Sequence, residues 1–238
     1  MSEITHNLQT IKAQIEQFNA QTPQQTQLLA VSKTKPLSAV IEAYAAGQRL
    51  FGENYVQEAV EKIQQLNNQS QYDTRYDEIE WHFIGPIQSN KTKLIAEHFD
   101  WVQSVDRLKV AQRLNDQRPD ASAKLNVCLQ INISEEDNKS GANKTQMFEL
   151  AKLVSQLPNL TLRGIMCIPQ KTADQTLQKR QLQQMQQLFL SLKAQYPNVD
   201  TLSMGMTNDM QLAIENGSTM VRIGTAIFGE RATKRATR

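Results

Sequence analysis

Cysteine, histidine and aromatic residues are all scarce in this 238-residue chain, and each scarcity removes a class of function. Its two cysteines, Cys128 and Cys167, sit inside apolar strand-like runs. That placement excludes a disulfide framework and a zinc spacing, and predicts two small buried thiols. The three histidines, His6, His82 and His98, lack the i, i+4 spacing of a helical metal site, so no metal is expected. No apolar run reaches the roughly 18 residues of a membrane helix. The opening MSEITHNLQTIKAQIEQFNA has no basic segment followed by an apolar stretch, which argues for a cytoplasmic protein without a leader. An excess of one charge is missing too. Lys plus Arg number 26 against 24 Asp plus Glu, and the one basic cluster is the tail Arg231, Lys234, Arg235 and Arg238. Nucleic acid is therefore not an expected partner.

What the chain has is regular alternation. Ile4, Leu8, Ile11, Ile15 and Phe18 recur at helical spacing, so a helix over 1–20 opens the chain before Pro23 breaks the pattern. LLAVSKT (28–34) then reads as a buried parallel strand, and strand and helix patterns alternate from there. Further strands are expected at RLFGEN (49–54), EWHFIG (80–85), WVQSVD (101–106), LNVCLQINI (125–133), LTLRGIMCIP (160–169), DTLSMG (200–205) and MVRIGTAIFG (220–229). Eight strands alternating with helices, with no shift in composition, predict an α/β fold: one TIM-type (β/α)8 barrel with an extra N-terminal helix, a single domain over 1–238 ending in a basic tail at 230–238. A doubly wound open sheet is the alternative, but no strand is followed by a GxGxxG or GxxxxGK[ST] loop.

In such barrels the chemistry lies at the carboxyl ends of the strands. The first strand ends in Ser32-Lys33-Thr34-Lys35-Pro36, where partial burial of a lysine would favour a neutral, nucleophilic amine. Alternation puts Lys33 and Lys35 on one face with Val31, so parity does not choose between them. The seventh end, Ser203 to Asp209, offers a hydroxyl and a glycine turn before a helix, and the eighth offers Arg222, Gly224 and Thr225. Together they suit a phosphate. A lone arginine inside an apolar strand also demands a polar partner in the barrel.

The motifs LLAVSKTKP, FGENYVQEAVEKI, EWHFIGPIQSNK, LQINISEEDNKSG, LRGIMCIP, LSMGMTNDMQLAI and VRIGTAIFG, in this order, closely resemble the pyridoxal phosphate homeostasis protein family. The resemblance implies a monomeric barrel of the alanine racemase N-terminal type that holds pyridoxal 5'-phosphate covalently. Carried over by position, it makes Lys33 the Schiff-base residue, assigns the phosphate to Ser203, Gly224, Thr225 and nearby amides, and sets Arg222 opposite the pyridine nitrogen. It also puts Asn54 near the ring or its phenolic oxygen and Met166 against the ring, and offers Lys139 as a secondary acceptor or an exit-path residue; His82 reads as mainly structural.

Arginine donates a hydrogen bond to a pyridine nitrogen without giving up its proton, and this leaves the ring a weaker electron sink. Racemases of this fold add a second, β-rich domain that supplies an opposite-face base, whereas this sequence runs only a short way past its eighth strand. The expectation is therefore a carrier that acts in vitamin B6 homeostasis, with PLP-dependent apoenzymes as partners and no robust catalysis of its own. A PLP-dependent amino-acid racemase is the alternative, and a cofactor-free interaction protein a third reading.

Overall fold

The computed structural model describes residues 2–70, 74–134, 140–170 and 172–230. Its strands are β1 (Gln27–Val31), β2 (Leu50–Glu53), β3 (Glu80–Phe83), β4 (Trp101–Val105), β5 (Leu125–Ile131), β6 (Leu160–Cys167), β7 (Thr201–Ser203) and β8 (Met220–Ile223). They pair in sequence order, every pair parallel, and β1 closes on β8 through Gln27↔Met220 to Ala30↔Ile223. The barrel expected from the alternating pattern is the observed fold. Helix α1 (Glu3–Asn19) precedes it, and α2 (Leu37–Ala45), α3 (Val56–Ser70), α4 (Thr92–His98), α5 (Leu108–Gln117), α6 (Lys144–Val154), α7 (Gln175–Lys193) and α8 (Met210–Glu215) follow successive strands. The last expected strand run is corrected: it stops at Ile223, and Thr225–Phe228 form a one-turn helix, α9.

Two layers of packing hold these elements. Residues such as Phe51, Phe83, Val102, Leu129, Ile165, Leu202, Val221 and Ile223 point outward from the sheet into one large core beneath the helices. Their strand neighbours point the other way and line the lumen. Leu29, Val31, Ile84 and Met220 form one interior cluster, and Trp101, Cys128 and Met166 another. Strict alternation would be broken on a sheet that bends, and it is. The β5–β6 register shifts between Val127 and Cys128, which pair with Leu162 and Gly164, so Arg163 is the extra residue of a bulge. A second shift separates Val102 from Val105 on β4.

Helix α1 buries Leu8, Ile11 and Ile15, and Asn7 donates to the Ile227 carbonyl of α9 at 3.2 Å. The extra helix therefore braces the end of β8 from outside. Polar caps fix the helix starts: Ser2 caps α1, Asp174 caps α7, and Asn143 with Gln146 forms a capping box on α6. Among the described residues no helix is long and apolar enough to cross a membrane, and no group of His, Cys, Asp and Glu could hold a metal ion.

Candidate functional site

Beyond β1 the chain turns sharply, with the Lys35 amide donating to the Ser32 carbonyl and Thr34 held at φ 63°. Leu29 and Val31 face the lumen while Ala30 faces outward, and Lys33 follows two residues past the strand, in the turn at the rim. Lys33 is part-buried. Lys35, which parity left equivalent, donates instead to the Glu230 carbonyl at 2.7 Å, across the outside of the β8 end.

An ionic cluster outside the barrel holds this turn from below. Lys62 of α3, itself buried, donates to Glu53 (2.8 Å), Glu58 (2.7 Å) and the Ser32 carbonyl (3.0 Å). The Ser32 hydroxyl donates to Glu53 at 2.7 Å, and Glu58 accepts the Thr34 amide at 2.6 Å. Burial pushes the Glu53 carboxyl above its ordinary pKa, against the pull of Lys62. Ser32, Thr34 and Lys35 are thus each tied to neighbouring elements.

At the same rim Asn54 follows the end of β2, and its buried Oδ1 has no hydrogen-bond partner among the described residues. A cleft of about 280 Å³ opens there, lined by Asn54, Ile84, Pro86, Gln130 to Asn132, Ser140 and Ile168. Its walls are amide, hydroxyl and apolar. None of these side chains titrates.

Across the mouth, Arg222 points from β8 into the lumen and is only 5% exposed. Its Nη1 donates to the Ser203 hydroxyl and its Nη2 to the Cys167 carbonyl, each at 2.8 Å. Both acceptors are neutral. Burial lowers its pKa, while Cys167, Asp209 and Cys128 act in the opposite direction. The polar partner that the lone arginine demanded is thus Ser203, which is fully buried on β7, its hydroxyl donating onward to Gln103 at 2.6 Å. Ser203 accordingly lies inside the barrel and not on the loop surface. Beyond it Gly205 takes φ 97°, a conformation that favours glycine, and Thr207 is exposed.

Gly224 and Thr225 come together at the end of β8, Thr225 exposed and Gly224 packed so close to β1 that an added Cβ would lie 3.2 Å from the Val31 carbonyl. Met166 is wholly buried with Cys128 and Trp101. His82 is also interior: it stacks on Trp101 with centroids 5.0 Å apart, and burial pulls its pKa to about 3. Lys139 and the tail residues Arg231, Lys234, Arg235 and Arg238 lie outside the described residues.

Glu53, Lys62 and Gln103 did not emerge from the sequence as site residues. Gln103 had a signal, since it shares a parity with Trp101 inside a largely apolar strand. Glu53 and Lys62 had little, because nothing local says that a helix lysine nine residues downstream folds back beneath the strand end.

The family model described as "Alanine racemase, N-terminal domain" matches residues 6–232. The pyridoxal phosphate homeostasis protein of Vibrio alginolyticus is 57% identical over 97% of this chain and 99% of its own. That of Escherichia coli K12 is 52% identical over 97% and 98%. This chain belongs to the pyridoxal phosphate homeostasis protein family. The fold of the family is seen in the PipY structure from Synechococcus elongatus with pyridoxal phosphate bound, which is 34% identical, covers 95% of this chain and 100% of its own, and superposes with a TM-score of 0.80. Alanine racemase of Corynebacterium glutamicum shares the barrel at 16% identity, with a TM-score of 0.69, and this chain covers 62% of its length. For this member of the homeostasis family that last likeness concerns the fold alone.

Proposed function

We propose that the protein binds pyridoxal 5'-phosphate at the barrel mouth as a Schiff base on Lys33 and serves intracellular vitamin B6 homeostasis as a carrier. The observation that carries this reading is Arg222. A guanidinium this buried, bonded to two neutral oxygens, has donors left for one more acceptor at the mouth, and a pyridine nitrogen is such an acceptor. The other residues fit the same ligand. Asn54 brings a partnerless buried oxygen to the rim, and its amide also carries N–H donors for a phenolic oxygen. Gly224 lies close beside Val31, and its amide and the Thr225 hydroxyl, with the loop after Gly205, suit a phosphate. Ser203 takes part through Arg222, and Met166 as apolar packing under the ring.

When bound, the cofactor would supply an aldehyde carbon able to condense with the Lys33 amine, one water leaving. The protein's own residues then bind and orient. Arg222 keeps its proton, and among the described residues the lining of the cleft beside Asn54 has no titrating side chain, which favours a carrier over an amino-acid racemase. The names of the relatives agree with this. We take PLP-dependent apoenzymes as the recipients, a monomer as the working state and the cytoplasm as the place, where both free thiols would stay reduced.

Borohydride reduction of the PLP-loaded protein, followed by peptide mapping, tests the site: the label is expected at Lys33. Label at Lys35 or Lys139 with none at Lys33 overturns the assignment. Racemisation and transamination assays across the amino acids test the carrier role, which robust turnover abolished by Lys33→Ala would overturn.

A further inference from the structure

The lumen contains a run of polar side chains that continues inward from Arg222. It crosses from β8 to β7, β4 and β3. Arg222 donates to Ser203, Ser203 to the Gln103 Oε1, and the Gln103 Nε2 stands 2.9 Å from the His82 Nδ1 and 3.1 Å from the Met220 sulfur. All of these residues are at most 5% exposed. We infer that Gln103 is a positioning residue for the cofactor ring, holding the Arg222 guanidinium through Ser203; the inference rests on the pyridoxal phosphate site proposed above.

The direction of the chain follows from donor counting. A guanidinium has no acceptor, so at the Arg222 link Ser203 must accept. Its single hydroxyl proton is then free for Gln103, where it requires the carbonyl end of the amide. That choice turns the NH₂ end toward His82 and Met220. The His82 Nδ1 must consequently accept, which leaves the ring proton on Nε2. One fixed charge at Arg222 thus sets the orientation of an amide and the tautomer of an imidazole three links away. The dependence also runs backward: without Gln103, the Ser203 proton loses its acceptor and the hydroxyl can turn away from Arg222. The arginine would then be held by the Cys167 carbonyl alone.

An apolar residue would fill position 103 as barrels of this type usually do. A buried amide there is unfavourable unless its groups are paired, and here both ends are. The inner end of the chain bears a cost. His82 Nε2 has no hydrogen-bond partner among the described residues, although its ring stacks on Trp101. The polar chain is therefore not explained by optimal packing of the lumen, and its one exposed-side terminus is the group that meets the ring.

The test uses the full-length protein, with and without pyridoxal phosphate carrying nitrogen-15 in its ring. In the wild-type protein without cofactor, imidazole NMR should find His82 neutral with its proton on Nε2. A proton on Nδ1 means that the Gln103 amide is reversed and the link to Ser203 is broken, which overturns the inference without any variant. In the loaded protein, Arg222→Met should shift the ring nitrogen-15 resonance. Gln103→Met should shift it part-way in the same direction and speed cofactor transfer to a scavenging apoenzyme by about five-fold or more, the change expected when one net hydrogen bond is lost. If Arg222→Met shifts the resonance and Gln103→Met does not, the positioning role falls while the site stands. If neither does, the site reading falls and the positioning role with it. Should Gln103→Met not fold, Ser203→Ala must reproduce the part-way shift, and a wild-type resonance there overturns the inference.

Discussion

Replacing Lys62 with methionine should destabilise the protein by an amount that depends on pH in a calculable way. The wild-type ammonium is buried and satisfies Glu53, whose side chain is fully inaccessible, while the second Glu53 oxygen already lacks a partner. Without Lys62, Glu53 retains only the Ser32 hydroxyl, and breaking a buried pair in this way generally costs about 3–5 kcal/mol. Protonation of Glu53 sets a ceiling on that cost. Measured from its ordinary value of 4.5, neutralising the carboxyl at pH ~7.5 costs about 4 kcal/mol, and at pH ~5.5 about 1.4 kcal/mol. The sign agrees with the raised folded-state pKa: the stability of the variant is fully present below the unfolded value and is lost as pH rises toward the folded one. Urea unfolding followed by Trp81 and Trp101 fluorescence should therefore give a deficit near 4 kcal/mol at neutral pH, or a fall in Tm of about 8–16 °C. The deficit should shrink on acidification, and Glu53→Gln combined with Lys62→Met should recover most of it. A neutral-pH loss below about 1 kcal/mol, or one that stays flat with pH, refutes the reasoning.

Gly164→Ala should be far more damaging than Gly224→Ala: the new Cβ would sit 1.7 Å from the Thr201 carbonyl of the paired strand, against 3.2 Å from that of Val31. Thermal unfolding should show a loss above ~3 kcal/mol for the first and under ~1 kcal/mol for the second. Unfolding below pH ~6.5 should take up a proton at His82, because burial holds its folded pKa near 3. Stability then falls by about 1.4 kcal/mol per pH unit on acidification, and a His82→Gln variant with the same slope would contradict this. Cys128 and Cys167 should resist a thiol reagent in the native protein and react on unfolding, since burial pushes the Cys167 thiol up to about 12 and that of Cys128 higher still. Fast native labelling of either would show that the lumen wall opens.

The barrel was legible because its signals are local and repeated. LLAV, WHF and LNVCLQI are apolar runs of strand length, and each is followed by helical spacing, so eight units could be counted without any long-range information. The ends of elements were less legible. LLAVSKT reads as one strand to residue 34, but the structure leaves the sheet at Val31, where tertiary bonds to Lys62 and Glu58 bend the chain. VRIGTAIFG reads as one apolar run because a one-turn helix is too short to display a period. The bulge at Arg163 defeats parity outright, since an extra residue exchanges inside for outside midway along β6.

The candidate site divides along the same line. Lys33, Asn54, Gly224 and Thr225 stand at strand ends, where position alone flags a residue in this fold. Ser203 was flagged by the same rule, yet its hydroxyl is turned inward and bonded to Arg222 and Gln103. The rule does not give that direction, because the last residue of a strand can face either the rim or the lumen, and one step of register decides which. Sequence parity already joined Arg222 to Gly224 and could have joined Gln103 to Trp101. It could not join Gln103 to Ser203, which is a hundred residues away across a closed barrel. The lone charge in β8 was therefore a sound pointer to a polar lumen, while the identity of its partners is a property of closure. Closing β1 onto β8 is what encloses Arg222 and leaves it, among the described residues, two neutral acceptors, the Ser203 hydroxyl and the Cys167 carbonyl.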